Sequence, residues 1–494
     1  MQREVDVALR HRRADAEPVA RTSASTTSAL RIAWDGSDIR PERLCHDDVS
    51  ARIYRTGGSM NSQYWTIAIG AARADKYPLM IFLAGVAACG WLVLRSAPRL
   101  IGVLFLTTIC FVPIWLGANF IIYFSPVTIV GLVALAAILP ALPHRIGPAD
   151  YAITFLILAC LIPILSGGAT KQTVTDVLFQ WLLALTIGRL LPLKVPLDWL
   201  YRFMSMIFGL VSLLAILEFL AGFNPFVKLA RPNPLYQTWG TLQERGGIIR
   251  AEGAFGHSIA LGSSVAMVIP IALASSLRPR TKTIVVGLML GASIVSFSRT
   301  AMIGAVLGIV LSVLFLREGL GAMMRAFVVV TTAAVAAVVI PFISAVFTLA
   351  GGEATGSADF RGRLRSLIPD MTVLGVSPVV HRTATGELYV GNFKSVDNAL
   401  ILLGLTYGWI AVLLAVLLLG GAIVVVLARR ATAPTIAIVA QIPAFATVAL
   451  ITQYGPFVWF MGGLALYTQA ERLRADHQMP QDEPEQLPAV QMVA

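Results

Sequence analysis

The sequence predicts an all-α, polytopic integral membrane protein with about 12 (12–13) transmembrane helices and two large extracytoplasmic loops. The chain has 494 residues, of which 57% are hydrophobic and only 13% charged, against roughly 25% charge in soluble domains. Apolar runs recur along most of its length. Many of them approach the about 20 residues that cross a bilayer. Continuous apolar runs mean helices, because alternation would be needed for a barrel.

Residues 1–76 are polar, rich in Arg, Asp, Ser and Thr, and read as a disordered cytoplasmic tail. Their basic residues precede no apolar h-region of the kind a signal peptide carries. Residues 77–470 form the transmembrane domain, and 471–494 a second disordered tail. Candidate spans lie near 78–94, 100–117, 122–142, 150–167, 173–192, 197–221, 258–277, 283–297, 300–316, 326–350, 397–427, 433–452 and 455–470. Pro113, Pro163, Pro270 and Pro341 fall inside apolar runs, where neighbouring helices accommodate kinks.

The basic clusters Arg278-Pro-Arg280-Thr-Lys282, Arg317 to Arg325, Arg429-Arg430 and Arg472 to Arg474 fall on alternate turns of the second half. Positive turns face the cytoplasm, so the long loops, about 222–257 and 351–396, face outward. Six spans before the first long loop would then place the N-terminal tail outside. Either one early segment, around Phe111–Phe124, does not span, or the tail is translocated. Twelve spans with both ends inside is the preferred count.

The net charge of +11 fits basic cytoplasmic turns and a site for phosphates. Nucleic-acid binding is excluded as a leading class, because no compact basic domain stands outside the apolar segments. The four cysteines (Cys45, Cys89, Cys110, Cys160) avoid both long loops, and the six histidines lack metal-ligand spacing. No metal and no cofactor are expected. No internal repeat is visible, which disfavours a transporter.

Four polar constellations lie on the predicted outer face. The first is Arg250-Ala251-Glu252-Gly253-Ala254-Phe255-Gly256-His257, which leads into a helix. A helix start offers unpaired N–H groups to phosphate and Arg250 a fork of donors, although a glycine-rich turn with an interfacial arginine is the plainer reading. The second, Ser298-Arg299-Thr300-Ala301, pins a charge between two apolar runs. Such a charge is costly unless paired or used, and snorkelling is the alternative.

The third constellation holds Arg361, Arg363 and Arg365 in the long loop. Leu364, Leu367, Ile368 and Met371 recur at helical spacing. They suggest a short amphipathic helix lying on the membrane, its arginines among headgroups. The fourth is Ser395-Val396-Asp397-Asn398, followed by Gly404 and Gly408. Ser395 or Asp397 is placed to cap the helix, or the carboxylate to take a proton from an acceptor hydroxyl.

The order of Arg250-x-x-Gly-x-Phe, Ser298-Arg299-Thr300-Ala301, the arginine-led loop reaching Leu374-Gly375-Val376, and Asp397-Asn398 with Gly404 and Gly408 resembles the O-antigen polymerase and O-antigen ligase superfamily. The resemblance covers roughly residues 100–470. It implies a bacterial inner-membrane glycosyltransferase with about twelve helices and a large periplasmic loop, using an undecaprenyl-diphosphate-linked oligosaccharide and no nucleotide sugar. A chain-length regulator and a flippase are the implied partners, beside membrane lipids.

The resemblance implies that Arg299 binds diphosphate, together with Arg361 or Arg363. Arg250, Arg365, His257 and Asn398 complete the substrate-binding set. Asp397 and Glu252 compete as base, with His257 and His381 behind them. Ligases of this kind commonly carry a histidine ahead of the asparagine matching Asn398; Ser395-Val396-Asp397 stands there, which favours a polymerase of exopolysaccharide or O-antigen repeats. The alternatives are a ligase, a protein oligosaccharyltransferase, and a flippase for which Glu218 is the deepest acidic candidate.

Overall fold

The computed structural model describes residues 90–119, 122–139, 147–165, 171–316, 321–349, 359–360, 362–382 and 388–478. Contacts divide the chain into Met1–Met80 and Ile81–Ala494, and every described residue belongs to the second unit. The tail expected at 1–76 lies outside the described residues, as do most of the 78–94 span and residues 479–494.

The fold is mostly helical, at 75%. The long elements are α1 (Pro98–Phe111), α2 (Pro126–Ile138), α3 (Pro148–Leu165), α4 (Lys171–Thr175) continued by a π-helix (Asp176–Leu182) into α5 (Leu183–Leu190), and α6 (Leu197–Ala221). A short α7 (Pro234–Trp239) sits in the first long loop. Then come α8 (Ser258–Ala274), α9 (Pro279–Val295), α10 (Arg299–Phe315), α11 (Ala322–Leu349), α12 (Ala399–Tyr407), α13 (Trp409–Leu427), α14 (Ala433–Ala440), α15 (Ile442–Phe445) and α16 (Tyr454–Gln478). Among the described residues, three helices are long and apolar enough to cross a membrane, fewer than the twelve expected: Thr173–Leu193, Leu197–Ala221 and Trp409–Leu427. A fourth is added if Gly90–Ser96 and α1, bent by 108°, count as one span. Five more apolar helices, among them α8 and α10, are shorter. A helix rises about 1.5 Å per residue, so the 17 residues of α8 fall just short of a bilayer core.

Local chemistry sets the boundaries. Ser125 caps α2 ahead of Pro126, Ser298 caps α10 and Asn398 caps α12, each side chain accepting the N–H three residues on. The sequence assigned the last cap to Ser395 or Asp397; the helix starts one register later and takes Asn398. Helix α6 ends at Gly222 in the left-handed conformation, φ 62°. Pro163, Pro270 and Pro341 are carried within continuous helices, as expected, but Pro113 is not: α1 ends at Phe111 and Pro113 precedes the 3-10 turn Ile114–Leu116.

Helices α5 and α16 touch backbone to backbone. A Cβ on Gly188 would fall 2.0 Å from the Phe460 carbonyl oxygen, and one on Gly463 2.0 Å from that of Leu185. Small residues allow such crossings in apolar surroundings. Outward faces are apolar: Phe155 and Leu158 on α3, Leu213 and Leu217 on α6, and Leu413, Val416 and Leu417 on α13 are all exposed.

One end of the bundle gathers the loops. Trp115 Nε1 donates to Leu229 O at 2.9 Å, and Asn233 Nδ2 to Trp115 O at 2.8 Å. Gln453 Nε2 donates both to Val112 O at 3.0 Å and to Ala254 O at 2.8 Å. The connections 112–125, 222–257 and 446–453 are thereby joined. The basic turns are pinned to nearby carbonyls instead: Lys282 Nζ to Leu273 O, Arg325 Nη2 to Leu316 O, and Arg472 Nη1 to Ala431 O.

Several expectations are corrected. Three two-stranded hairpins interrupt the all-α pattern: β1 (Ala118–Asn119) with β2 (Tyr123–Phe124), β3 (Glu244–Arg245) with β4 (Ile248–Ile249), and β5 (Val380–Arg382) with β6 (Leu388–Val390). The 397–427 span is two helices, broken at Gly408 (φ 92°), where a Cβ would fall 2.7 Å from Leu374 Cα. The loop helix is a 3-10 helix, Leu364–Asp370, with Pro369 inside it. Its apolar side meets protein: Leu364, Leu367 and Met371 pack with Val396, Ile401 and Leu405. The C-terminal boundary also moves, since α16 runs on to Gln478.

Introducing Gly188→Val should cost 1–3 kcal/mol or more by overpacking (about that range for forced methylenes). Gly421→Ala, where a Cβ meets nothing within 4 Å, should be neutral. Thermal unfolding of the detergent-solubilised variants checks the contrast.

Candidate functional site

The loop end is organised around one carboxylate. Glu218, one turn before the end of α6, accepts from Asn224 Nδ2 at 2.9 Å and from the backbone N–H of Glu252 at 3.0 Å through Oε1. Its Oε2 accepts from Gly253 N–H at 2.9 Å. Asn224 Nδ2 also reaches Gly253 O at 3.0 Å. Glu218 is therefore a clamp on the loop, not the deep membrane acid that a flippase reading requires.

Gln243 is a second hub. Its N–H donates to Glu252 Oε1 at 2.9 Å, its carbonyl accepts from Arg250 N–H at 3.0 Å, and its Oε1 accepts from Ser258 Oγ at 3.0 Å. Arg250 is buried, 5% exposed. Its Nε donates to Ser296 O at 2.9 Å, and its Nη atoms lie 3.4 Å from Gln243 Oε1 and 3.5 Å from Phe297 O. The fork expected to hold phosphate instead braces the turn before α10. Phe297 takes φ 46°, unusual for a side-chain-bearing residue. Its carbonyl also accepts Arg245 Nη1 at 3.0 Å.

Glu252 is 1% exposed. Burial pushes its carboxyl up to about 7; the nearby Glu218 charge adds to this, while the Gln243 N–H and Arg250 oppose it. His257 caps α8, its Nδ1 accepting from Ile259 N–H at 3.1 Å. Burial and then the Arg250 charge push its imidazole down to about 3. The neutral ring thus carries its proton on Nε2 and is a donor, which removes His257 as a base. His381 lies on the exposed hairpin β5–β6, stacked on Tyr389.

The remaining elements meet at residues 446–448. Asn398 Nδ2 donates to Ala446 O at 2.6 Å, Ala399 N–H to Val448 O at 3.1 Å, and Thr300 Oγ1 lies 3.3 Å from Thr447 Oγ1. The Ser298-Arg299-Thr300 and Asp397-Asn398 motifs, about a hundred residues apart in sequence, therefore border one turn of chain. Arg299 is exposed in the first turn of α10, and Asp397, which precedes the Asn398 cap of α12, is half-buried. Arg363 and Arg365 are exposed on the 3-10 helix packed over α12. Arg361 lies outside the described residues.

A cleft of about 1160 Å³ opens beneath this turn. Ala399, Val376 and Leu450 line its loop end, Trp181, Tyr407 and Trp459 its middle, and Asp150, Gln469 and Arg474 its far end. Its walls are mostly apolar. Arg189 and Asp150 close the far end as an ion pair at 3.0 Å. The arrangement combines exposed cations, one accessible carboxylate and a long apolar slot. Among the described residues, no three His, Cys, Asp or Glu side chains group to hold a metal ion. Sequence reasoning missed Gln243, Asn224, Arg245 and Gln453, whose roles come from contacts across the loop end; the polar character of 222–257 hinted at the first three, and nothing local marks Gln453.

No protein-family model matches the chain, and no curated protein matches it.

The raised Glu252 carboxyl makes stability depend on pH. A carboxyl held above its ordinary value stabilises the fold fully below about pH 4.5 and loses that contribution as pH rises through about 7. Wild type should therefore be less stable at about pH 8 than at about pH 5. Glu252→Gln should flatten that slope, a difference on the order of 3 kcal/mol. Thermal midpoints across the two pH values measure it.

Proposed function

We propose that this chain is a membrane glycosyltransferase of the O-antigen polymerase and ligase kind, which polymerises oligosaccharide repeats carried on undecaprenyl diphosphate for an exopolysaccharide or O-antigen. The observation that supports the reading is that one turn, residues 446–448, is bordered both by Thr300, next to Arg299, and by Asn398, next to Asp397, while Ala399 of the same helix start lines an apolar cleft. In this reading α1, α2, α3, α4–α5, α6, α8, α9, α10, α11, α13, α14–α15 and α16 make twelve crossings of a bacterial inner membrane. Both chain ends then share the side of the basic turns, which face the cytoplasm. The loop end is extracytoplasmic, and the outward apolar faces lie in lipid.

The polyprenyl tail of the donor occupies the cleft, and its diphosphate rests on Arg299 with Arg363 and Arg365 above. Asp397 takes the proton from the acceptor hydroxyl. That oxygen bonds to the anomeric carbon of the donor sugar from the face opposite the diphosphate, the carbon–oxygen bond to diphosphate breaks, and the configuration inverts. Undecaprenyl diphosphate leaves as an anion, and the arginines stabilise its developing charge. Arg250 and Glu252 support this site by fixing the turn that presents Arg299.

A deletion strain complemented with wild type should make long lipid-linked chains. Complementation with Arg299→Ala or Asp397→Asn, at equal protein level, should leave single repeats, with polymer reduced roughly 100-fold or more. Undiminished polymer would overturn the assignment. Long chains stranded on the carrier in the deletion strain would mean a ligase, and repeats trapped on the inner face a flippase.

A further inference from the structure

The mouth of the cleft holds a residue set that a lipid tail does not need. Trp239, at the end of α7, is half-buried and lines the cleft. Thr452 lines it too. Thr452 is 6% exposed, sits at φ 47°, and its Oγ1 is buried with no hydrogen-bond partner. An orphaned buried hydroxyl in a strained backbone is costly and points to a ligand that completes it.

Trp239 is held rigidly. His257 meets its ring edge-on, with centroids 5.6 Å apart. Gly256 (φ 61°) packs so close that a Cβ there would lie 2.8 Å from Trp239 O and 2.7 Å from the Trp115 ring. Asn233 caps α7, and Trp115 packs edge-on against Tyr236 at 5.7 Å. The neutral His257 presents an Nε2–H donor next to the indole. A fixed indole face, a ring N–H and a hydroxyl together complement a flat apolar face with a polar rim. A pyranose ring has that shape; an isoprenoid chain has no rim to satisfy, and a diphosphate has no face to stack.

We infer that the cleft mouth is a saccharide subsite in which Trp239 stacks against the sugar attached to the carrier diphosphate, while Thr452 and His257 meet its hydroxyls. The inference rests on the glycosyltransferase reading above and adds to it the residues that recognise the sugar. Trp239 and Thr452 are specificity residues, distinct from the groups assigned to proton transfer and charge stabilisation.

The test is equilibrium binding to the full-length protein in nanodiscs. The probes are bare undecaprenyl diphosphate and the same carrier bearing one glucose, galactose or N-acetylglucosamine. In wild type at least one glycosylated carrier should bind about 10-fold tighter than the bare one, the scale of one aromatic contact with its hydrogen bonds. Trp239→Leu should bring that ratio to about 1, Thr452→Val should lower it by about 3-fold, and Trp239→Phe should retain most of it. Bare-carrier affinity should stay unchanged in all three, which also reports that they fold. Equal affinity of wild type for all carriers, or a full ratio in both Trp239→Leu and Thr452→Val, would overturn the subsite while leaving the carrier reading intact. Wild type that binds no carrier at all would overturn the glycosyltransferase reading, and the subsite with it.

Discussion

The Glu218 carboxylate is the interaction on which the loop end depends. It gathers two backbone N–H groups and one side-chain amide into a single acceptor. Hydrogen bonds to a charged group contribute about 1.5–3 kcal/mol each, and here they tie the last turn of α6 to the Glu252–Gly253 end of the loop. Gln243 and Arg250 extend the tie to the Ser296–Phe297 turn. The first turn of α10 is oriented by that chain of contacts. An exposed arginine on an untethered turn would lose much of its value as a preorganised charge.

Charge is distributed by depth. Lys282 and Arg325 of the far end answer carbonyls of their own turns, Arg472 answers that of Ala431, and the ion pair of Arg189 with Asp150 is doubly hydrogen-bonded. Buried charges are tolerated on those terms. At the loop end the buried charges are close: the Glu218 charge adds to the cost that burial imposes on ionising Glu252, and Arg250 opposes it. Arg299, Arg363 and Arg365 are exposed at this end.

Helix existence and spacing were legible in the sequence because apolar runs and polar gaps are local features. The order of the four constellations was legible for the same reason. What each arginine does was not. Arg250 and Arg299 both stand beside short turns, and only the positive φ of Phe297, which aims a carbonyl at the guanidinium, decides that one is buried and the other exposed. Glu218 reads as deep because apolar residues surround it in sequence, yet Gly222 ends the helix one turn later. The break at Gly408 was illegible because its cause, the 372–375 backbone, arrives from a different part of the chain: Trp409 N–H bonds to Thr372 O, and Gly375 N–H to Tyr407 O.

Helix α12 has the arginine-bearing loop on one side and the cleft on the other. Leu405 and Ile401 pack under the loop, while Ala399, Leu403 and Tyr407 line the slot. The nine-residue helix is capped at one end by Asn398 and ends at the other at Gly408. It is a wall between loop and slot that both of them touch along its length. A group bound on the loop side and one bound in the slot would therefore both press on the same short helix.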